Sequence, residues 1–96
     1  MAEARHVRNN RDAHRYELVD GDGHVLGRAD YHIEGNVVVV PHTEVRPDLR
    51  NNGLGAELVQ GVLDDVRAAG ALVRPQCWYV AEFLDEHPEY RDLVAD

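Results

Sequence analysis

Apolar and polar residues alternate from Arg15 to Val19 and again from Val25 to Ile33, the period of strands with one buried face. Asp20-Gly21-Asp22-Gly23 separates the two runs, and Asp-Gly steps favour the positive-φ turns of hairpins. Glu34-Gly35-Asn36 turns the chain again. Val37 to Thr43 is the expected third strand, and its run of four valines fits burial on both faces. Pro41 and His42 predict a bend, because proline brings no N–H to a ladder, with Glu44 and Val45 forming or ending a short fourth strand. The period then changes. Leu54, Leu58, Val59, Val62, Leu63 and Val66 fall on one stripe of a helix from about Gly53 to Ala69, and Gly70 is its stop. Leu72 and Val73 open a further strand that Pro75 closes. Tyr79, Val80, Phe83 and Leu84 outline a second helix ending near His87-Pro88.

Antiparallel strands followed by strand–helix–strand predict an α+β domain with one parallel pair and a right-handed crossover. Met1 to His14 is polar and arginine-rich, and reads as a mobile segment or a lead-in to the first strand. That leaves residues 15–96 as a single domain, with residues 89–96 forming a tail that docks back through Tyr90 and Leu93. At 96 residues the chain lies near the low end of what buries its own core.

Charge and composition remove several function classes. A net charge of −8 argues against non-specific nucleic-acid binding, which needs a basic face. The longest apolar run, Val37 to Val40, is far too short to span a membrane. One cysteine and an N-terminus without an apolar run predict a cytoplasmic protein. There is no serine and no lysine, so serine-hydrolase and Schiff-base chemistry are excluded. The histidines at 6, 14, 24, 32, 42 and 87 show no zinc-ligand spacing, and no metal is expected.

The strongest chemical signal lies between the valine-rich strand and the first helix. Gly53 and Gly55 at a strand-to-helix turn allow close approach of a ligand to the backbone. The helix start adds unpaired N–H groups and the positive end of its dipole, so the junction reads as an anion site, phosphate being the usual anion. A P-loop would need a lysine, and a Rossmann fingerprint would need a third glycine where Leu58 stands. What remains is R-x-x-G-x-G from Arg50 to Gly55, preceded by Val45-Arg46-Pro47.

This stretch resembles the pyrophosphate loop of the GNAT acetyltransferases. His42-Thr43-Glu44-Val45 before it, and Pro75-Gln76-Cys77-Trp78-Tyr79-Val80 and His87-Pro88-Glu89-Tyr90 after it, extend the resemblance to the small, single-domain YjdJ-type branch over roughly residues 15 to 94. The resemblance implies a minimal GNAT fold with a splayed sheet, coenzyme A entering where two strands separate. It implies acetyl-CoA as co-substrate and an amine, free or on a protein, as acceptor. The chain lacks the helical segment that usually follows the first strand and the usual last hairpin, both of which shape the acceptor site. A coenzyme A-binding module without catalysis is the alternative. A monomer or weak homodimer is expected.

Site residues follow from the same resemblance. The backbone around Glu44 and Val45 would bond the pantetheine arm. Arg50 and the N–H groups of Asn51, Asn52, Gly53, Leu54, Gly55 and Ala56 would hold the pyrophosphate. Cys77, at a helix start that lowers a thiol's pKa, would take the acetyl group or handle the leaving thiol; the bland alternative is a small buried apolar residue. Tyr79 would protonate the departing thiolate, or simply pack on the first helix. His42, with its near-neutral intrinsic pKa, is a candidate base or a strand-end histidine, and Glu44 could act through a water. Trp78 reads as packing.

Overall fold

The computed structural model describes residues 5–49 and 53–95. Five strands form one sheet in chain order: β1 (His6–Asn10), β2 (Arg15–Val19), β3 (Val25–Glu34), β4 (Val37–Val45) and β5 (Leu72–Pro75). Helix α1 (Leu54–Ala68) joins β4 to β5, and α2 (Trp78–Glu86) follows. Neighbouring strands are antiparallel except β4 and β5, which are parallel. This is the expected α+β architecture.

Two expectations need correction. The segment read as mobile contains β1, paired with β2 along its length. The strand holds through the side chains of Val7, Arg8, Asn9 and Asn10. Val7 packs on α1 at Gly61, where a Cβ would meet Val7 Cγ2 at 2.3 Å. Asn9 accepts a 2.7 Å bond from the Tyr31 hydroxyl, and Arg8 and Asn10 both donate to Glu17. Second, Pro41 does not divide β4. The β3–β4 register shifts between Asp30 and His32, so Val40 and Pro41 together face Tyr31. A proline tolerated at such a bulge lets the strand run on to Val45.

One sheet face carries Tyr16, Leu18, Ala29, Val38, Val40 and Val73 into a single core with the apolar stripe of α1 and with Val80, Phe83 and Leu84 of α2. The tail docks as expected: Tyr90 and Leu93 are buried, and Tyr90 donates a 2.7 Å bond to Asp64. The opposite face is mostly polar, with Val19 and Val39 buried among its charged side chains. Its centre is Glu17, 1% exposed, which accepts from Arg8 Nε at 2.9 Å, Arg15 Nε at 2.7 Å and Asn10 Nδ2 at 3.2 Å.

The parallel pairing stops early. Val37–Val40 pair with Leu72–Pro75, and then the Gln76 and Cys77 N–H groups both donate to the Val40 carbonyl, at 3.1 and 3.0 Å. Beyond that point the chain leaves the sheet into α2, while β4 continues for five residues beside β3 alone. A splay between β4 and α2 results.

Candidate active site

The splay opens a cleft of about 700 Å³. Its walls are β4 from Pro41 to Val45, the start of α1 at Gly53, Leu54 and Gly55, and the start of α2 from Gln76 to Tyr79. His42, Glu44, Val45, Gly53, Leu54, Gly55, Cys77 and Tyr79, expected from the sequence, therefore meet at one place. Ala56 does not join them; its side chain packs against the core. Arg50, Asn51 and Asn52 lie outside the described residues.

Strand alternation assigns the β4 groups to sides. The Arg46 N–H donates to the Leu26 carbonyl at 2.9 Å. In an antiparallel ladder, Glu44 and His42 then also turn their backbone groups to β3, whereas Thr43 and Val45 turn theirs toward the side β5 has left. The side expected to receive the pantetheine arm thus belongs to Thr43 and Val45 rather than to Glu44. Side chains divide likewise. Thr43 and Val45 share the α1 face with their partners Ala29 and Gly27, while His42 and Glu44 stand on the polar face. There Glu44 Oε1 lies 3.3 Å from an Arg28 terminal nitrogen and 3.6 Å from His42 Nε2.

Cys77 caps α2 and is buried. Burial alone would push its thiol up. The Thr43 hydroxyl and the backbone N–H groups of Val80, Tyr79 and Thr43 outweigh that and hold the thiol below its ordinary value. Thr43 Oγ1 stands toward the sulfur without regular bonding geometry and is buried with no hydrogen-bond partner. Sequence reading passed over this threonine; its place between two candidate residues on an alternating strand was the available signal.

The phenol of Tyr79 is pushed up, first by burial and then by the negative charges of Glu82 and Glu86. Its hydroxyl rests on the first turn of α1, where a Cβ on Gly55 would meet Tyr79 Oη at 2.6 Å. This tyrosine is by itself enough to require a small residue at Gly55. Gly53 has another reason. A Cβ there meets nothing within 4 Å, but its φ of 75° lies in the left-handed region as it caps α1. Trp78 is 73% exposed at the cleft mouth, contrary to the packing role expected for it.

Two other polar groupings lie beyond the cleft, the second sharing Glu44 with it. Asp20, Asp22 and His24 gather ligand-type atoms within 4.8 Å of one another in the β2–β3 turn. Asp20 already accepts from the Asp22 and His24 N–H groups, both at 2.9 Å. A hollow of about 220 Å³ on the polar face is lined by Arg15, Arg28 and Arg46, each paired with a carboxylate: Glu17, Glu44 and Asp48 respectively. Among the described residues, no helix is long and apolar enough to cross a membrane.

No curated protein matches the chain. Among solved structures, the NMR structure of a GCN5-like protein from Staphylococcus aureus superposes with a TM-score of 0.70 at 19% identity, over 93% of this chain and 86% of that one. At that identity the likeness speaks for the fold. The family model of the GCN5-related N-acetyl-transferases matches residues 15–93, from β2 to the docked tail. With the splayed sheet and the cleft at its opening, this match identifies the chain as a member of the GCN5-related N-acetyltransferase family.

Proposed function

We propose that the chain transfers an acetyl group from acetyl-CoA to an amine within the cleft between β4 and α2. The observation that carries this reading is the meeting of three features at one opening: the cleft-facing backbone of Thr43, the N-terminus of α1, and the pair Cys77 and Tyr79. The residues fit the co-substrate. An extended thioester arm finds a strand edge beside it, and its phosphates find a helix start. Arg50 supplies the charge-assisted bond to the pyrophosphate, with the N–H groups from Asn51 to Ala56 around it.

Tyr79 holds its proton at neutral pH and gives it to the departing thiolate. His42, beside Glu44 on the polar face, takes the proton of the attacking amine. The amine nitrogen forms the new C–N bond as the thioester C–S bond breaks. In a second route the Cys77 thiolate, favoured by Thr43 and the N–H groups at the start of α2, attacks the thioester carbon first; its C–S bond forms as the bond to coenzyme A breaks, the coenzyme A sulfur takes the Tyr79 proton, and the amine then displaces the Cys77 sulfur.

Intact-mass analysis of an amine panel with acetyl-CoA tests the transfer. An acetylated amine formed at a rate proportional to protein is expected. Coenzyme A binding without a product from any amine would leave a binding module in its place. Arg50→Ala should raise the KM for acetyl-CoA roughly tenfold to hundredfold with turnover nearly unchanged, the mark of lost uniform binding. An unchanged KM would place the pyrophosphate's grip on backbone N–H groups alone.

A further inference from the structure

Trp78 stands out in this fold. It is the sole tryptophan, it lies in the first turn of α2, and 73% of it is exposed at the mouth of the cleft. Its ring is braced edge-on against Tyr79, with centroids 5.8 Å apart. A large aromatic left in water beside a cleft has solvation to gain from a partner. Glu82 lies one helical turn further on the same face, and Glu86 one turn beyond that. Among the described residues neither carboxylate forms an ion pair. At ~1.5 Å per residue, the track from indole to Glu86 is about 12 Å long, close to the reach of an extended triamine.

We propose that Trp78, Glu82 and Glu86 form the acceptor-docking surface, and that the acceptor is a linear aliphatic polyamine carrying at least two ammonium groups. The inference rests on the acetyltransferase reading above and names its substrate class. Charge complementarity sets the choice. An indole face attracts an ammonium, and two carboxylates in line beyond it attract the remaining charges of the chain. The methylene spacers lie along the apolar part of the indole. The net charge of −8 steers polycations toward the protein as a whole. With the far ammonium groups held by Glu82 and Glu86, the terminal nitrogen over Trp78 lies at the cleft mouth. There the ammonium gives one proton to solvent, and the neutral amine gives a second to His42 as the C–N bond forms and the thioester C–S bond breaks, the departing sulfur taking a proton from Tyr79.

Because Trp78 is the sole tryptophan, its fluorescence reads the docking without any chemistry. Titration with spermidine at low salt should give a saturable change. Butylamine, a monoamine, should give none at matched ionic strength. Glu82→Gln with Glu86→Gln should move the spermidine midpoint up about fivefold, and added salt should do the same to the native protein. In the acetylation assay, Trp78→Ala should raise the spermidine KM about threefold with kcat held within about twofold, and Trp78→Phe should recover part of it. A flat titration, an equal response to butylamine, or an unchanged midpoint in the double glutamine variant would overturn the docking surface. If the titration saturates as described while no amine is acetylated, the docking surface stands and the transfer reading fails. If a lysine-rich peptide is acetylated and spermidine neither binds nor reacts, the polyamine assignment falls and protein amines take its place.

Discussion

Cys77 is pulled in opposite directions. Burial disfavours its thiolate, while Thr43 and the first N–H groups of α2 favour it, and the second influence is the larger. The expected outcome is a thiol that reacts with iodoacetamide on a pH profile whose midpoint lies below that of the same chain in denaturant. Thr43→Val keeps the shape but removes the hydroxyl, and should shift the midpoint upward. An unmoved midpoint would leave the helix start as the whole cause. The sequence located Cys77 and Tyr79 because their spacing from Pro75 fits a family pattern. It missed the contact of Gly55 with Tyr79 and the exposure of Trp78 for a physical reason. Whether a small residue makes room for a ligand or for a tyrosine, and whether an indole points in or out, depends on the angle between α1 and α2. That angle is a tertiary quantity, and neither local period nor composition carries it.

At the level of elements, the strands and helices with clear periodicity were legible nearly to the residue. Arg15–Val19 and the α1 stripe are examples. β1 was not legible, because His6–Asn10 offers only Val7 as an apolar residue and has no alternating pattern to read. Its signal lay in another element, as Gly61 in the middle of an otherwise strong helix. Such a glycine is unfavourable in itself, by about 1 kcal/mol relative to alanine, so packing must favour it. The Val7 side chain occupies the place of a Cβ at Gly61. Gly61→Ala should therefore destabilise the protein, because overpacking of about 1–3 kcal/mol exceeds the gain in helix propensity. In a Val7→Gly background, which removes both Val7 Cγ2 at 2.3 Å and Val7 Cβ at 2.6 Å from the added methyl, the same substitution should become stabilising. Urea denaturation of the four variants gives the coupling directly. Additive effects would mean that β1 does not rest on α1 at this point. Pro41 was misread for a related reason. A proline's effect on a strand depends on what pairs with it, and the bulge opposite Tyr31 appears only once β3 and β4 are aligned.

For the molecule as a whole, the sheet has two unlike faces, and the polar one has a charge requirement. The core face is held by apolar burial with α1 and α2. The polar face is closed at its centre by Glu17 beneath Arg8, Arg15 and Asn10, which ties β1 to β2. The sequence hid this, since a charged residue inside an alternating strand reads as solvated. Burial alone would raise the Glu17 carboxyl's pKa. The bonds from Arg15, Arg8 and Asn10 overcome that and hold it below its ordinary value. A carboxylate depressed in the folded state contributes stability above its unfolded pKa, near 4.3 for glutamate, and loses it as the pH falls through the lower folded value. Glu17 should therefore stabilise the protein at neutral pH and contribute to its acid unfolding below about pH 4.3. Glu17→Gln keeps the shape, removes the charge and leaves the arginines without their shared partner. Losing charge-assisted bonds of this kind should cost about 1–3 kcal/mol at pH 7, lowering Tm by several degrees. Below about pH 4.3 the deficit should shrink as the native carboxyl itself becomes neutral. Thermal melts of both proteins from neutral pH into that acid range would show the two Tm curves converging. Parallel curves would mean that Glu17 carries no native-state charge coupling, and that β1 is held by Val7 and Asn9 alone.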